Sequence, residues 1–204
     1  MFKGSLLGLI VLSYVSLMSA HEGLIEAKAS YFHPTDPNFR DIYGGGWIYG
    51  LEASYGLWKG LYAWGSSGYF HQSGLSKGSY DSTHVTFVPC GLGLKYLFTL
   101  DTVDLYLGAG ALGTYGHTTN DSSYVARSQS KWGFGGIAKI GVILNIKRFF
   151  FIDLFSDYSW MKIHFHNHDA GVLSNTANFN GWSIGIALGY RFGKPQKPRP
   201  VMVP

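Results

Sequence analysis

The sequence predicts an all-β protein: an eight-stranded antiparallel up-and-down transmembrane β-barrel. Three observations carry this. Eight segments alternate apolar and small or polar side chains with the period of two that a strand imposes. The connections between them alternate long and short. Charged residues are 14% of the chain, aromatic residues 17%, with 28 glycines, whereas a soluble domain carries about 25% charge. The surface is too apolar for water, yet the region behind residue 20 contains no continuous apolar run of helical membrane-spanning length.

The first 20 residues stand apart. "MFKGSLLGLIVLSYVSLMSA" sets Lys3 before an apolar core and ends in small residues at Ala20, the pattern of a secretory signal peptide. The expected organisation is therefore a signal peptide over 1–20, a barrel over 21–193 and a disordered proline-rich tail over 194–204. That tail, with four prolines, is expected on the periplasmic side. Cys90 is the single cysteine, so no intramolecular disulfide forms. The net charge of +4 is small and dispersed, which argues against a nucleic-acid partner.

The eight strands are expected near 23–32, 43–58, 61–71, 84–98, 103–116, 131–146, 149–164 and 181–193. Loops 33–42, 72–83, 117–130 and 165–180 are long and polar. Lys59–Gly60, Thr99–Thr102 and Lys147–Arg148 are tight turns. This order makes a meander with both termini on the short-turn side.

The last strand shows which face meets which medium. In "GWSIGIALGYRFG", Trp182, Ile184, Ile186, Leu188, Tyr190 and Phe192 share one parity; Ser183, Gly185, Ala187, Gly189 and Arg191 share the other. Strands two, six and seven repeat the division, whereas the third segment gives no clear assignment. Across the chain the small or polar parity holds Glu26, Lys28, Glu52, Lys95, Asp104, Lys139, Asp153, Asp157 and Arg191, five acids and four bases. The assigned apolar faces hold no charge, as lipid requires: Lys or Arg at a bilayer midplane costs roughly 2–4 kcal/mol. The greasy parity is therefore expected outside and the ions inside, as a salt-bridged core with Lys139 opposite Asp157 and Lys95 near Asp104. Trp47, Trp132, Trp160 and Trp182 fall near the long-loop rim. Tyr96, Phe98, Phe149, Tyr190 and Phe192 fall near the other.

With "IEAKASYF" at its start and "GIALGYRF" at its end, the chain resembles the small eight-stranded bacterial outer-membrane barrels of the OmpA transmembrane domain and OmpX type. The resemblance implies an outer-membrane protein with extracellular loops and periplasmic termini. It implies a terminal signal at Tyr190 and Phe192 for the barrel-assembly machinery, and a lipid and lipopolysaccharide surround. The expected role is structural or surface-interactive, as a monomer without a wide pore, catalytic centre or cofactor, its loops offered to host or surface ligands.

Two alternatives are weighed against it. A lipid A deacylase would use a His-x-Ser-Asn motif, but His168 and Ser174 stand six residues apart in a loop, where nothing locks nucleophile and base together. An exported lipocalin-like barrel would need the glycine-rich charged parity to face water. Finally, seven of the eight histidines lie at long-loop strand ends, and His164, His166 and His168 alternate there as candidate Zn²⁺ or Cu²⁺ ligands.

Overall fold

The computed structural model describes residues 22–75, 81–100, 103–120, 128–146, 149–165 and 175–193. The expected signal peptide and tail lie outside them. Nine strands form: β1 (Gly23–Pro34), β2 (Gly46–Trp58), β3 (Leu61–Leu75), β4 (Ser82–Leu100), β5 (Val103–Asn120), β6 (Ser128–Asn145), β7 (Phe150–Phe165), β8 (Asn175–Asn178) and β9 (Gly181–Phe192). Each neighbour pair is antiparallel, and the sheet closes because β1 pairs with β9, β9 with β7 and β7 with β6.

The short β8 is an extension of β9 beyond an interruption. Ser159 pairs with Gly181 and Lys162 with Asn178, so both pieces keep one register along β7. At the break the Asn180 side chain accepts from Met161 N at 2.8 Å, while Thr35 N and Oγ1 donate to Asn180 O at 2.8 and 2.9 Å. These bonds satisfy backbone groups that the ladder omits. They also leave Phe179 buried against the barrel mouth.

Closure is therefore eight-stranded, as the alternation predicts. The long connections differ from expectation. β3 runs to Leu75, β5 to Asn120, and β6 starts at Ser128, so the strands reach well into the expected loops. Residues 33–42 are not irregular. They end β1 and begin a short helix, α1 (Pro37–Tyr43), and β2 starts at Gly46 instead of residue 43. The helix has a local cause: Asp36 Oδ1 accepts from Phe39 N at 3.0 Å as an N-cap, and Pro37 supplies a preset first turn. Gly44, at φ +67°, ends it. At the other rim, Lys59 and Gly60 both have positive φ, the backbone of a tight two-residue hairpin.

The outer wall is apolar. Leu51, Leu92, Phe134 and Leu188 are each more than 60% exposed, which water would oppose and lipid favours. Trp47, Trp132, Trp160 and Trp182 are exposed at the long-loop end; Tyr96, Phe98, Phe149 and Tyr190 are exposed at the other. Such girdles mark the two interfaces of a membrane barrel. Among the described residues one charge does stand on this face: Lys162 of β7, opposite Phe134, is exposed outward near the long-loop rim. Its four-carbon stem lets the ammonium reach the headgroups.

The unassigned third segment is settled by packing. Tyr62, Trp64 and Phe70 of β3 are buried inward, while Ser67, Tyr69, His71 and Ser73 look outward. Pairing between β3 and β4 passes from Ser67–Cys90 to Phe70–Phe87 and omits Gly68, Tyr69, Val88 and Pro89. Pro89 has no N–H to give the ladder. The register nonetheless continues unshifted, so Cys90 remains on the outer face, 3.5 Å from Ser67 Oγ. In native membranes Cys90 should resist a bulky water-soluble maleimide and react fully after unfolding. Rapid modification of the native barrel would show that Cys90 meets water instead of lipid.

Candidate functional site

The lumen holds the chemistry, and strand parity delivers it there. Glu26 lies opposite Glu52 across β1 and β2, and Lys139 opposite Asp157 across β6 and β7. At mid-height Glu52 becomes a hub. Its Oε1 accepts from Lys95 Nζ at 2.9 Å, and its Oε2 accepts from Lys28 Nζ at 3.0 Å and from Lys139 Nζ. Lys95 also donates to Glu26 at 3.1 Å. Asp157 lies 3.5 Å from Lys139 and 3.7 Å from Lys28. Glu26, Glu52, Lys95 and Lys139 are each at most 4% exposed.

Aromatic faces complete the solvation of these ions. Lys28 Nζ stands 3.8 Å from the centroid of Phe155, Lys139 Nζ 4.3 Å from Trp64 and Lys95 Nζ 5.1 Å from Tyr106. The buried Asp153 accepts from the Tyr106 hydroxyl at 2.9 Å. Glycine makes the room. A Cβ on Gly141 would come within 2.6 Å of the Tyr106 ring, and one on Gly189 within 2.0 Å of Phe151.

A second, smaller cluster closes the short-turn end. Arg191 reaches Asp104 at 2.7 Å and Glu22 at 3.1 Å, and Asn145 donates to Asp104 at 3.1 Å. The expected neighbourhood of Asp104 with Lys95 does not form. Asp104 is registered opposite Thr99, four residues from Lys95, a separation of about 13 Å along a strand. Each turns to a different partner.

Two apolar clusters flank the ions, and the residue pattern did not reveal them. Leu24, Tyr62, Leu97, Tyr106, Ile143 and Phe151 pack below. Above, Phe39 of α1 enters the mouth and meets Phe32, Phe70, Phe87 and Phe179, with ring centroids 5.1 to 6.4 Å away. The Tyr43 hydroxyl, which burial holds above the ordinary phenol range, bonds Thr83 Oγ1 at 2.8 Å and ties the helix to β4. Between this plug and the ions is a cavity of about 120 Å³, with Phe32, Phe87 and Met161 above and Lys28, Lys139 and Asp157 below.

Of the other expected residues, Tyr190 is exposed outward and pairs with Ile25 and Phe150, and Phe192 pairs with Gly23. His164 lies in β7, its backbone paired with Thr176. His166, His168 and Ser174 lie outside the described residues, so neither the metal nor the deacylase reading has a described site. Among the described residues no group of three or more His, Cys, Asp or Glu could hold a metal ion.

A closed antiparallel sheet with an apolar outer wall and its ions inside defines an eight-stranded transmembrane β-barrel. The chain is similar in fold to OprG of Pseudomonas aeruginosa, with a TM-score of 0.67 and 16% identity over 86% of this chain and 98% of that one. It is similar to E. coli outer membrane protein W, at 0.57 and 18% over 85% and 99%. A third is the N-terminal barrel domain of P. aeruginosa OprF, at 0.54 and 15% over 85% and 98%. No family model matches the sequence, and the comparison with curated proteins gave no match.

Because one carboxylate holds three ammonium groups, Glu52→Gln should be far costlier than its single lost charge suggests. Removing one side of a buried ion pair costs roughly 3–5 kcal/mol. Urea unfolding in lipid vesicles should show a clearly lower midpoint for Glu52→Gln and no change for Lys59→Gln at the hairpin tip. Equal midpoints for Glu52→Gln and the parent would remove the hub from the account of stability.

Proposed function

We propose that the protein is a structural and surface-interacting component of a bacterial outer membrane, not an enzyme and not a general pore. The observation that supports this best is the filled lumen. An eight-stranded barrel has an interior just wide enough for side chains. Here the Glu52 hub, the Phe39–Phe179 plug and the Arg191 cluster occupy it in succession. With the interior committed to holding the wall, the parts offered to other molecules are the loops and the outer surface.

In this reading the long-loop end faces the outside of the cell, and the termini and short turns face the periplasm. The protein acts as a monomer. Tyr190 and Phe192 supply the terminal signal taken up by the barrel-assembly machinery, and host or surface ligands meet the four loops. Apart from Lys162 near the long-loop rim, the wall itself is apolar, so charged side chains would then meet the cell exterior mainly through the loops and the strand ends beside them.

One observation favours a second reading. Gly68 and Pro89, where β3–β4 pairing lapses, both line the cavity beneath the plug, together with Leu51 and Ser67 of the outer face. A small amphiphile with an apolar body and a polar end would fit between Phe87 and Lys139, entering through the wall.

In planar bilayers the purified barrel should give little or no steady conductance. Large reproducible single-channel steps would overturn the filled-lumen reading. On intact cells, protease or labels should reach the connections between β3 and β4 and between β5 and β6 but not the Lys59–Gly60 turn. The converse pattern would invert the topology.

A further inference from the structure

The outer wall differs at its two ends in a way that the apolar band does not explain. At the long-loop end, the outward positions of β3 to β6 form ordered rows. Across the sheet, His71 stands opposite Thr86, Thr86 opposite His117, and His117 opposite Ser130. In the next row, farther from the membrane centre, Ser73 stands opposite His84 and His84 opposite Thr119. Three imidazoles thus alternate with hydroxyls in a checkerboard, one row beyond the aromatic Tyr69, Tyr115 and Trp132. Among the described residues the opposite rim has no counterpart: its outward side chains there include Trp58, Tyr96, Phe98, Phe149 and Tyr190.

The hydrogen bonds hold the rings of the checkerboard in place. Thr86 Oγ1 lies 2.9 Å from His71 Nδ1, Ser73 Oγ 2.8 Å from His84 Nδ1, and Ser130 Oγ 2.7 Å from His117 Nδ1. The rings of His71 and His84 are parallel to within 6°, with centroids 6.2 Å apart. With Nδ1 held by a hydroxyl, Nε2 of His71 and of His84 has no protein partner among the described residues. Where the hydroxyl donates to Nδ1, or where the ring is protonated on both nitrogens, the free Nε2 carries a proton and presents an N–H donor to whatever surrounds the barrel.

Height and charge identify those surroundings. Thr86 lies twelve residues along β4 from Phe98, about 31 Å of vertical rise for a strand tilted near 40°. The apolar band of such barrels is about 25 Å tall, so the checkerboard lies at headgroup depth. Among the described residues, the ionisable side chains on the outward strand faces near this rim are His33, His71, His84, His117 and Lys162, and none is a carboxylate. A surface with imidazole N–H donors held by hydroxyls, one lysine and no acid complements phosphate.

We propose that this checkerboard on β3–β6 binds the phosphate groups of a phosphorylated glycolipid in the leaflet facing the long loops. The proposal rests on the membrane-barrel reading and adds a specific lipid site to it. His71, His84 and Thr86 form its centre, with His117 and Ser130 extending it along the sheet.

The test uses the full barrel folded in dodecylmaltoside micelles with ¹⁵N-labelled histidine, titrated with diphosphoryl lipid A. The ring nitrogens of His71, His84 and His117 should shift saturably, while His33, beyond β2 on β1, should move much less. The same glycolipid stripped of both phosphates should leave them unmoved, and so should inorganic phosphate at equal concentration. The triple variant His71→Gln, His84→Gln, His117→Gln should bind diphosphoryl lipid A about tenfold more weakly, the loss of roughly one charge-assisted hydrogen bond. Heat-modifiable gel migration reports whether each sample is folded, so a failed barrel is distinguished from a failed site. If the variant does not fold, the titration of the parent protein alone decides. Equal shifts with the dephosphorylated glycolipid, saturation by inorganic phosphate, or no saturable shift in a folded barrel would each overturn the proposal.

Discussion

Lipid supplies no hydrogen bonds, and that one deficiency organises the molecule. Every N–H and C=O in the band must find its partner within the protein, so the sheet must close, here through β1 with β9. Closure turns one face of every strand into a sealed interior. That interior is too narrow to hold bulk water and too large to leave empty. The ions, the glycines that make room for rings, and the plugs at either end are consequences of having to fill it. Where the ladder itself fails, at Asn180 a side chain takes over a backbone role; at Pro89 the wall is left unpaired on its β3 side alone.

Much of this was legible because lipid enforces the alternation without exception over long stretches. β9 is the clearest case, since its outward positions see only acyl chains and its inward positions see only crowded space. The same parity placed Glu26, Lys28, Glu52, Lys95, Asp104, Lys139, Asp153, Asp157 and Arg191 on the small face, where they lie in the structure. What parity cannot show is height. Lys95 and Asp104 are on adjacent strands and the same face, yet they lie in different layers and take different partners. Pairing depends on long side chains from three strands, β1, β4 and β6, converging on Glu52, and no local spacing encodes that.

The third segment resisted for a related reason. Its inner face needed bulk, which Tyr62, Trp64 and Phe70 provide, while its outer face leaves the apolar band and becomes polar at Ser67, His71 and Ser73. Both faces therefore break the rule that the other strands keep. The helix α1 had a readable start in Asp36–Pro37, but at seven residues it is too short for periodicity to announce it. Its purpose, setting Phe39 into the mouth, depends on Phe87 and Phe179, distant in the chain.

The Glu52 hub draws its charges from β1, β2, β4, β6 and β7. Charge balances within neighbouring strands, since Glu26, Lys28, Glu52 and Lys95 of β1–β4 cancel and so do Lys139 and Asp157 of β6 and β7. The Lys139–Glu52 and Lys28–Asp157 contacts, however, join these two halves across the lumen. A partly zipped sheet would lack these cross-lumen contacts and leave its ion pairs uncovered by the opposite wall. Insertion and closure are thereby coupled: the wall can enter the membrane at low cost only as the ring completes.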